Sequence, residues 1–256
     1  MACTGAKPLA ITNCLNFGNP YDAEMYFQFS EAVRGIGDAC RFLETPVTGG
    51  NVSFYNLSRD YAVFPTPVIG MLGLIEDFGK SVTSNFKDKN DIIFLLGNQN
   101  SNEIGGSEYL NTEHNLIMGD APDIDLKIEK NLILLLNELS GEKILKSAHD
   151  ISDGGISVAI AECCILKPGN EIGAKINLQY NYRKDFELFG ETQSRIIISI
   201  NKKDILTLTE KCKKFEIPYT EIGFTGGQML EINNDIRLGL PDLKENYFNS
   251  LSKYLN

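Results

Sequence analysis

The run Gly49-Gly50-Asn51-Val52-Ser53 brings together residue types that suit phosphate and cation chemistry. Two successive glycines can leave backbone N–H groups open to an anion. The amide oxygen of Asn51 is a neutral, hard donor of the kind magnesium accepts. Ser53 stands two residues on, so in an extended chain its hydroxyl faces the same side as Asn51. The same residues also suit a tight turn between strands, with Asn51 tolerating a left-handed dihedral. The spacing is not the G-x-x-x-x-G-K-[ST] of a P-loop.

Three further stretches carry polar groups at telling places. NCLNFGNP (13–20) reads as a loop after a strand and before a helix, where ligands of α/β folds gather. Its asparagines suit ribose or phosphate, and equally suit capping and turning. HDISDGG (149–155) sets Asp150 and Asp153 before a helix with a diglycine start. That is either a magnesium–phosphate corner or a helix whose N-cap is Asp153. LFGETQSR (188–195) holds Glu191, Gln193 and Arg195 between a helix and a strand and reads as a solvated connector with a helix-end arginine. No cysteine–histidine pair sits in a nucleophilic setting, so the chain does not read as a glutaminase.

The elements that must position these groups follow from apolar periodicity. KPLAIT (7–12) reads as a buried strand. Met25, Phe29, Ala32, Val33, Ile36, Ala39, Cys40 and Leu43 recur at helical spacing behind a candidate N-cap, Asp22. PTPVIGMLGLIED (65–77) contains a second strand. The polar stretch 78–91 reads as a domain boundary. Beyond it, DIIFLLG, RIIISI, PYTEIGFTG, QMLEIN and DIRLGL read as strands. Helices are expected in GGSEYL, along the stripe from Ile124 to Leu139, from Ile156 to about Leu166, in DILTLTEKCKKF, and from about Leu243 to Tyr254. The class is α/β or α+β, in two parts.

The chain has 256 residues, enough for one large domain or two modest ones. Its formal net charge of −10 argues against a broad nucleic-acid interface. No apolar run approaches the roughly 18 residues of a membrane span, and no secretory signal opens the chain; the expectation is a cytoplasmic protein without membrane partners. The six cysteines form no C-x-x-C pair, which points to buried free thiols and not to zinc.

Together, AITNCLNFGNP, FSEAVRGIGDACRFLETPVTGGNVSFYN, PTPVIGMLGLIED, GGSEYL, HDISDGGISVAIAE and FGETQSR resemble the synthetase subunit of phosphoribosylformylglycinamidine synthase, PurL type. The resemblance runs along essentially the whole chain and is most specific in the first 77 residues. It implies a PurM-like fold, shared with aminoimidazole ribonucleotide synthetase and selenophosphate synthetase. An A-type, ferredoxin-like, ATP-binding domain, here N-terminally truncated, is expected over 1–83, and a B-type α/β domain over 84–256. The resemblance covers only the second of the family's two such pairs, and implies that the catalytic groups lie in the missing first half.

What the resemblance implies for function is ATP-dependent amidation of formylglycinamide ribonucleotide in purine biosynthesis. Asn13 and Gly50 would meet ATP, Asn51 would ligate magnesium, and Ser53 would touch the ribonucleotide, with no catalytic residue assigned in this chain. Some relatives carry Asp where Asn13 stands. The implied partners are the missing half of the synthetase, a glutaminase subunit that supplies ammonia, and a small bridging subunit. Asp150, Asp153 and Glu191 fall where long relatives hold a structural nucleotide, and no role is assigned to them. Two rivals remain: a non-catalytic scaffold or dimerisation half, and another ATP-dependent enzyme of the superfamily, against which TNCLNFGNP and GGNVSFYN argue. The chain opens on the KPLAIT strand, so an unpaired edge and self-association are expected there.

Overall fold

The computed structural model describes residues 1–59 and 61–255. The chain divides into two compact units, residues 1–2 with 6–76 and residues 3–5 with 77–256. The break falls between Glu76 and Asp77, where the sequence suggested 83/84. The reason lies in residues 78–83. Lys80 O accepts from Ser140 Oγ at 2.7 Å, Val82 N donates to Thr4 O at 3.1 Å, and Thr83 bridges to Ser147, all within the second unit.

In the first unit, β1 (Lys7–Asn16), helix α1 (Ala23–Leu43), β2 (Val47–Ser53) and β3 (Thr66–Leu74) form a three-stranded sheet and its helix. Strand order is β2-β1-β3, with β1–β2 parallel and β1–β3 antiparallel. The opening strand is therefore central, but it meets β3 from Lys7 and β2 only from Ile11, so Lys7–Ala10, the first part of KPLAIT, have a strand partner on one side alone. Asp22 caps α1 by accepting from the N–H groups of Glu24 and Met25, and Glu44 ends it in the left-handed region at φ 59°. The apolar stripe of α1 is half-buried, not buried. Phe29 of α1 meets Phe17 and Phe54 edge-on, at ring separations of 5.2 and 5.0 Å, and so ties the helix to the ends of β1 and β2.

The second unit contains β4 (Ile92–Gly97), α2 (Glu108–His114), α3 (Leu126–Gly141), β5 (Leu145–Asp150), α4 (Gly155–Ile165), β6 (Ala174–Ile176), α5 (Lys184–Phe189), β7 (Arg195–Ile200), α6 (Ile205–Lys214), β8 (Tyr219–Thr225), β9 (Met229–Ile232), β10 (Ile236–Gly239), α7 (Leu240–Phe248) and α8 (Ser252–Leu255). The strands make one mixed sheet, β10-β9-β6-β8-β4-β7-β5, in which only the β6–β9 pair is parallel. β4 and β7 lie inside it, which explains the apolar runs Ile92–Leu96 and Ile196–Ile198; Ser199 and Arg195 of β7 are buried polar residues. Ile93, Leu95 and Ile197 pack with Ile156, Ala159 and Ile160 of α4; Phe94 and Leu96, which alternate with them, are equally buried, so both faces are covered. The final helix expected from Leu243 to Tyr254 is two helices, with Pro241 in the first turn of α7. Strands β5 and β6, too short and polar to show a period, were not legible in the sequence.

Burial of Cys3, Cys163, Cys164 and Cys212 pushes their thiols upward, to about 12 for Cys3, Cys164 and Cys212. They are protonated, packed thiols, and all six cysteines are free.

Candidate functional site

The first unit gathers the sequence-predicted residues on β1 and β2, because these strands run in parallel register: Asn13 beside Gly50, Cys14 beside Asn51, and Asn16 beside Ser53. Asn13 belongs to strand, not to the loop its composition suggested. Gly49, Gly50 and Asn51 also lie in strand, and none has a positive φ. This removes the reading of Asn51 as a turn residue. It also changes the argument for the glycines, which are extended backbone and not an open nest.

The reason for Gly50 is close approach. A Cβ built there would sit 2.0 Å from Asn13 Oδ1 and 2.6 Å from the Asn13 carbonyl oxygen. The amide of Asn13 thus occupies the space a side chain on Gly50 would need. Gly49 has nothing within 4 Å of such a Cβ.

On the opposite face, Asn51 Nδ2 donates to Ser53 Oγ at 2.9 Å and reaches Cys14 Sγ at 4.0 Å. Asn16 Nδ2 donates to the same sulfur at 3.6 Å. Asn51 is exposed, and its Oδ1 accepts from no described residue, which leaves an unclaimed amide oxygen beside a hydroxyl. Asn13 with Gly50, and Asn51 with Ser53, therefore occupy opposite faces of the sheet. β2 is an edge strand, so its outward backbone groups are open along that edge, with Asn51 and Ser53 on β2 itself and Asn13 one strand in, on β1.

The donor set fits magnesium in part. One neutral oxygen and one hydroxyl suit a cation that keeps waters and phosphate oxygens among its ligands. No group of three or more His, Cys, Asp or Glu side chains that could hold a metal exists among the described residues.

In the second unit, the polar motifs do structural work. The N-cap of α4 is Gly154, at φ 76° with no side-chain cap bond, so Asp153 does not cap. The cap comes from a distance: Glu191 Oε1 accepts from Gly154 N and from Glu108 N, the first residue of α2, each at 2.9 Å. One carboxylate thus holds the N-termini of two helices, where negative charge also meets the positive ends of their dipoles. Replacing Glu191 by Ala leaves both donors without this partner and is expected to cost roughly 1–3 kcal/mol. Urea unfolding measures it, and Glu191→Gln, which keeps an acceptor oxygen, should recover part of the loss.

Arg195 opens β7 as a buried residue, not a helix-end surface cation. Burial pulls its guanidinium down to about 10, with Glu187 acting the other way. Its Nε and Nη1 have no hydrogen-bond partner among the described residues. Glu187 spends its carboxylate on the backbone N–H groups of Ser101, Asn181 and Tyr182. Neither role leaves a signal in a single sequence.

His149, next to last in β5, stands between two acceptors, with Nε2 2.9 Å from Glu162 Oε2 and Nδ1 2.7 Å from the Asp150 carbonyl oxygen. Both contacts can be donated at once only by the imidazolium. Burial lowers the His149 pKa, but the Glu162 carboxylate and the Asp150 carbonyl outweigh it, and the net shift is upward. Its stabilisation is complete below the unfolded value of about 6.5 and is lost as pH rises through the folded pKa. Glu162, lowered chiefly by its bond to His149, loses its share only as pH falls through its own depressed value. Between about pH 6 and pH 9, the urea midpoint of the parent should therefore fall further than that of His149→Gln.

Comparison with known proteins gives a consistent family. The AIR synthase related protein N-terminal domain matches residues 1–75 and the C-terminal domain matches 88–230. The chain is 44% identical over 250 residues to phosphoribosylformylglycinamidine synthase subunit PurL of Anaeromyxobacter sp. (strain Fw109-5), covering 95% of this chain and 32% of that protein. It is 45% identical over 231 residues to the subunit of the same name from Chlorobaculum tepidum, covering 87% of this chain and 30% of that protein. The chain thus spans about a third of the length of the curated relatives it matches. Among solved structures, T. maritima PurL complexed with FGAR superposes with a TM-score of 0.72 at 18% identity, over 95% of this chain and 40% of that one. T. maritima PurL complexed with ATP gives 0.68 at 19% identity, over 94% and 38%. At such identity these likenesses speak for the fold, an α/β arrangement of the PurL kind.

Proposed function

Since the chain belongs to the AIR synthase related family, we propose that it is the second half of a synthetase that amidates formylglycinamide ribonucleotide at the expense of ATP. In that reaction the substrate's amide oxygen takes the γ-phosphoryl group of ATP, and ammonia then forms the new C–N bond as phosphate leaves. The products are formylglycinamidine ribonucleotide, ADP and phosphate. A glutaminase subunit would supply the ammonia, and a small bridging subunit would join the assembly.

The observation that carries this reading is the edge of β2. There Asn51 presents a free Oδ1 with the Ser53 hydroxyl beside it, and Gly50 is kept bare by the Asn13 amide on the other face. Asn13 would hydrogen-bond the nucleotide, Gly50 would let it approach the backbone, Asn51 would hold magnesium, and Ser53 would orient the ribonucleotide. Magnesium, when bound, offsets phosphate charge during transfer.

A second reading, a scaffold half without a ligand role, is favoured by the exposed apolar residues of the small sheet, among them Val52, Val68, Ile69 and Leu72. One experiment separates the two. The 256-residue chain is assayed for ATP- and ammonia-dependent turnover of formylglycinamide ribonucleotide, alone and mixed with the part of the Anaeromyxobacter relative that it does not match. Turnover is expected only in the mixture. A mixture that works equally well with Asn51→Ala and Ser53→Ala chains would leave the scaffold reading; turnover by the chain alone would overturn the assignment as a dependent half.

A further inference from the structure

The end of α2 and the loop that follows it form a lobe of the second unit whose residues 111–121 are all exposed. Three consecutive apolar residues stand on it, Leu116, Ile117 and Met118, the last two 66% and 59% exposed. The lobe is held in place. Met118 O accepts from Gly106 N at 2.9 Å, Leu116 N donates to Leu110 O at 3.0 Å, and Asn115 turns the chain at φ 53°. Glu103 Oε1 accepts from Asp123 N at 2.8 Å. An ordered apolar ridge loses little conformational entropy when it is covered.

Its surroundings are acidic to an unusual degree. No Lys or Arg occurs between Lys89 and Lys127, while Glu103, Glu108, Glu113, Asp120, Asp123 and Asp125 all fall in that span. Farther along the same loop, Asp123, Ile124 and Asp125 join Asn100, Asn102 and Glu103 in lining a cavity of about 610 Å³. The lining includes no basic side chain, which disfavours phosphate and anionic lipid alike. Its amide and carboxylate oxygens instead match a side chain rich in N–H donors.

We propose that this lobe and cavity form a docking surface for a partner protein that presents Lys or Arg beside apolar side chains. The cation enters the cavity against Asp123 and Glu103, and the apolar neighbours cover Leu116, Ile117 and Met118. Charge complementarity sets the choice of partner, and the ridge supplies the buried area.

The test uses the whole chain and a labelled short peptide of alternating arginine and leucine, with a glutamate-for-arginine counterpart as control, read by fluorescence anisotropy. The basic peptide is expected to bind and the acidic one not. The double variant Ile117→Ser/Met118→Ser, which leaves charge untouched, and Asp123→Lys should each weaken binding by about tenfold. Glu210→Lys, an exposed position on α6 with the same change in charge, should alter it by less than about twofold. Equal loss in Asp123→Lys and Glu210→Lys would mean diffuse attraction to an acidic chain and overturn the proposal. So would unchanged binding by the double serine variant, or failure of the basic peptide to bind. A dimer of the parent in sedimentation that the double serine variant lacks would assign the surface to a second copy and overturn it too.

Discussion

Asn51→Ala should lower turnover of the assembled enzyme by on the order of a hundredfold at limiting magnesium, and by less when magnesium is raised. The change removes an amide oxygen that accepts from no described residue, together with the Nδ2 contacts to Ser53 Oγ and, at 4.0 Å, to Cys14 Sγ, and it removes no backbone bond of the strand. Asn51→Asp keeps an oxygen and should lose less. Asn51→Gly is the informative third variant. Asn51 has no positive φ, so glycine gives it no conformational benefit, and the variant should behave as Asn51→Ala does in the rate assay. Melting temperatures should move little in all three, because the residue is exposed and its side chain bonds only Ser53, two positions away, and, at a long 4.0 Å, Cys14 Sγ. An Asn51→Gly chain that matches the parent at limiting magnesium removes the ligand role.

Gly50→Ala should be the more damaging change to structure. The added methyl would lie 2.0 Å from Asn13 Oδ1 and 2.6 Å from Asn13 O, and the second contact is backbone, which cannot swing aside. Relief requires β1 and β2 to separate locally, at a cost of about 1–3 kcal/mol for overpacking, and turnover of the assembled enzyme should fall with it. Asn13→Ala in the same chain removes only the side-chain part of the clash. The double variant should therefore regain part of the stability in urea and none of the activity. Gly49→Ala, with open space at its Cβ, is the matched control and should be close to neutral in stability. A Gly50→Ala chain as stable as Gly49→Ala would show that Asn13 does not fill the place of that side chain.

The sequence disclosed the elements whose residues repeat with one period over many positions. α1 is an example: its stripe and its Asp22 cap are both local, and both are as expected. β4 and β7 were legible because strands inside a covered sheet favour apolar side chains on both faces, as in Ile92–Leu96 and Ile196–Ile198. What failed were features created by pairing. Asn13 and Gly50 look like loop residues one at a time, and only the parallel register that sets them side by side shows a strand with an amide packed over a bare glycine. Ser53 and Asn51 fell on one face because alternation is local to a strand. That Asn13 lies on the other face follows from the same alternation combined with the register, which no spacing within either segment contains. The domain break moved by a few residues for a similar reason: residues 78–83 are polar, but their hydrogen bonds commit them to the second unit. Glu191 was visible as a carboxylate but not as a cap, since the two helices it serves begin 83 and 37 residues away.

That carboxylate has a dynamic consequence. Two amide hydrogens, on Glu108 and Gly154, share one acceptor oxygen, so neither helix start can be released by loss of Glu191 without releasing the other. In native-state hydrogen exchange the two amides should report a common opening, with protection that falls in parallel as denaturant rises. The first turns of α2 and α4 then form a single cooperative element, although they belong to different segments of the chain. A disturbance that withdraws Glu191 frays both at once.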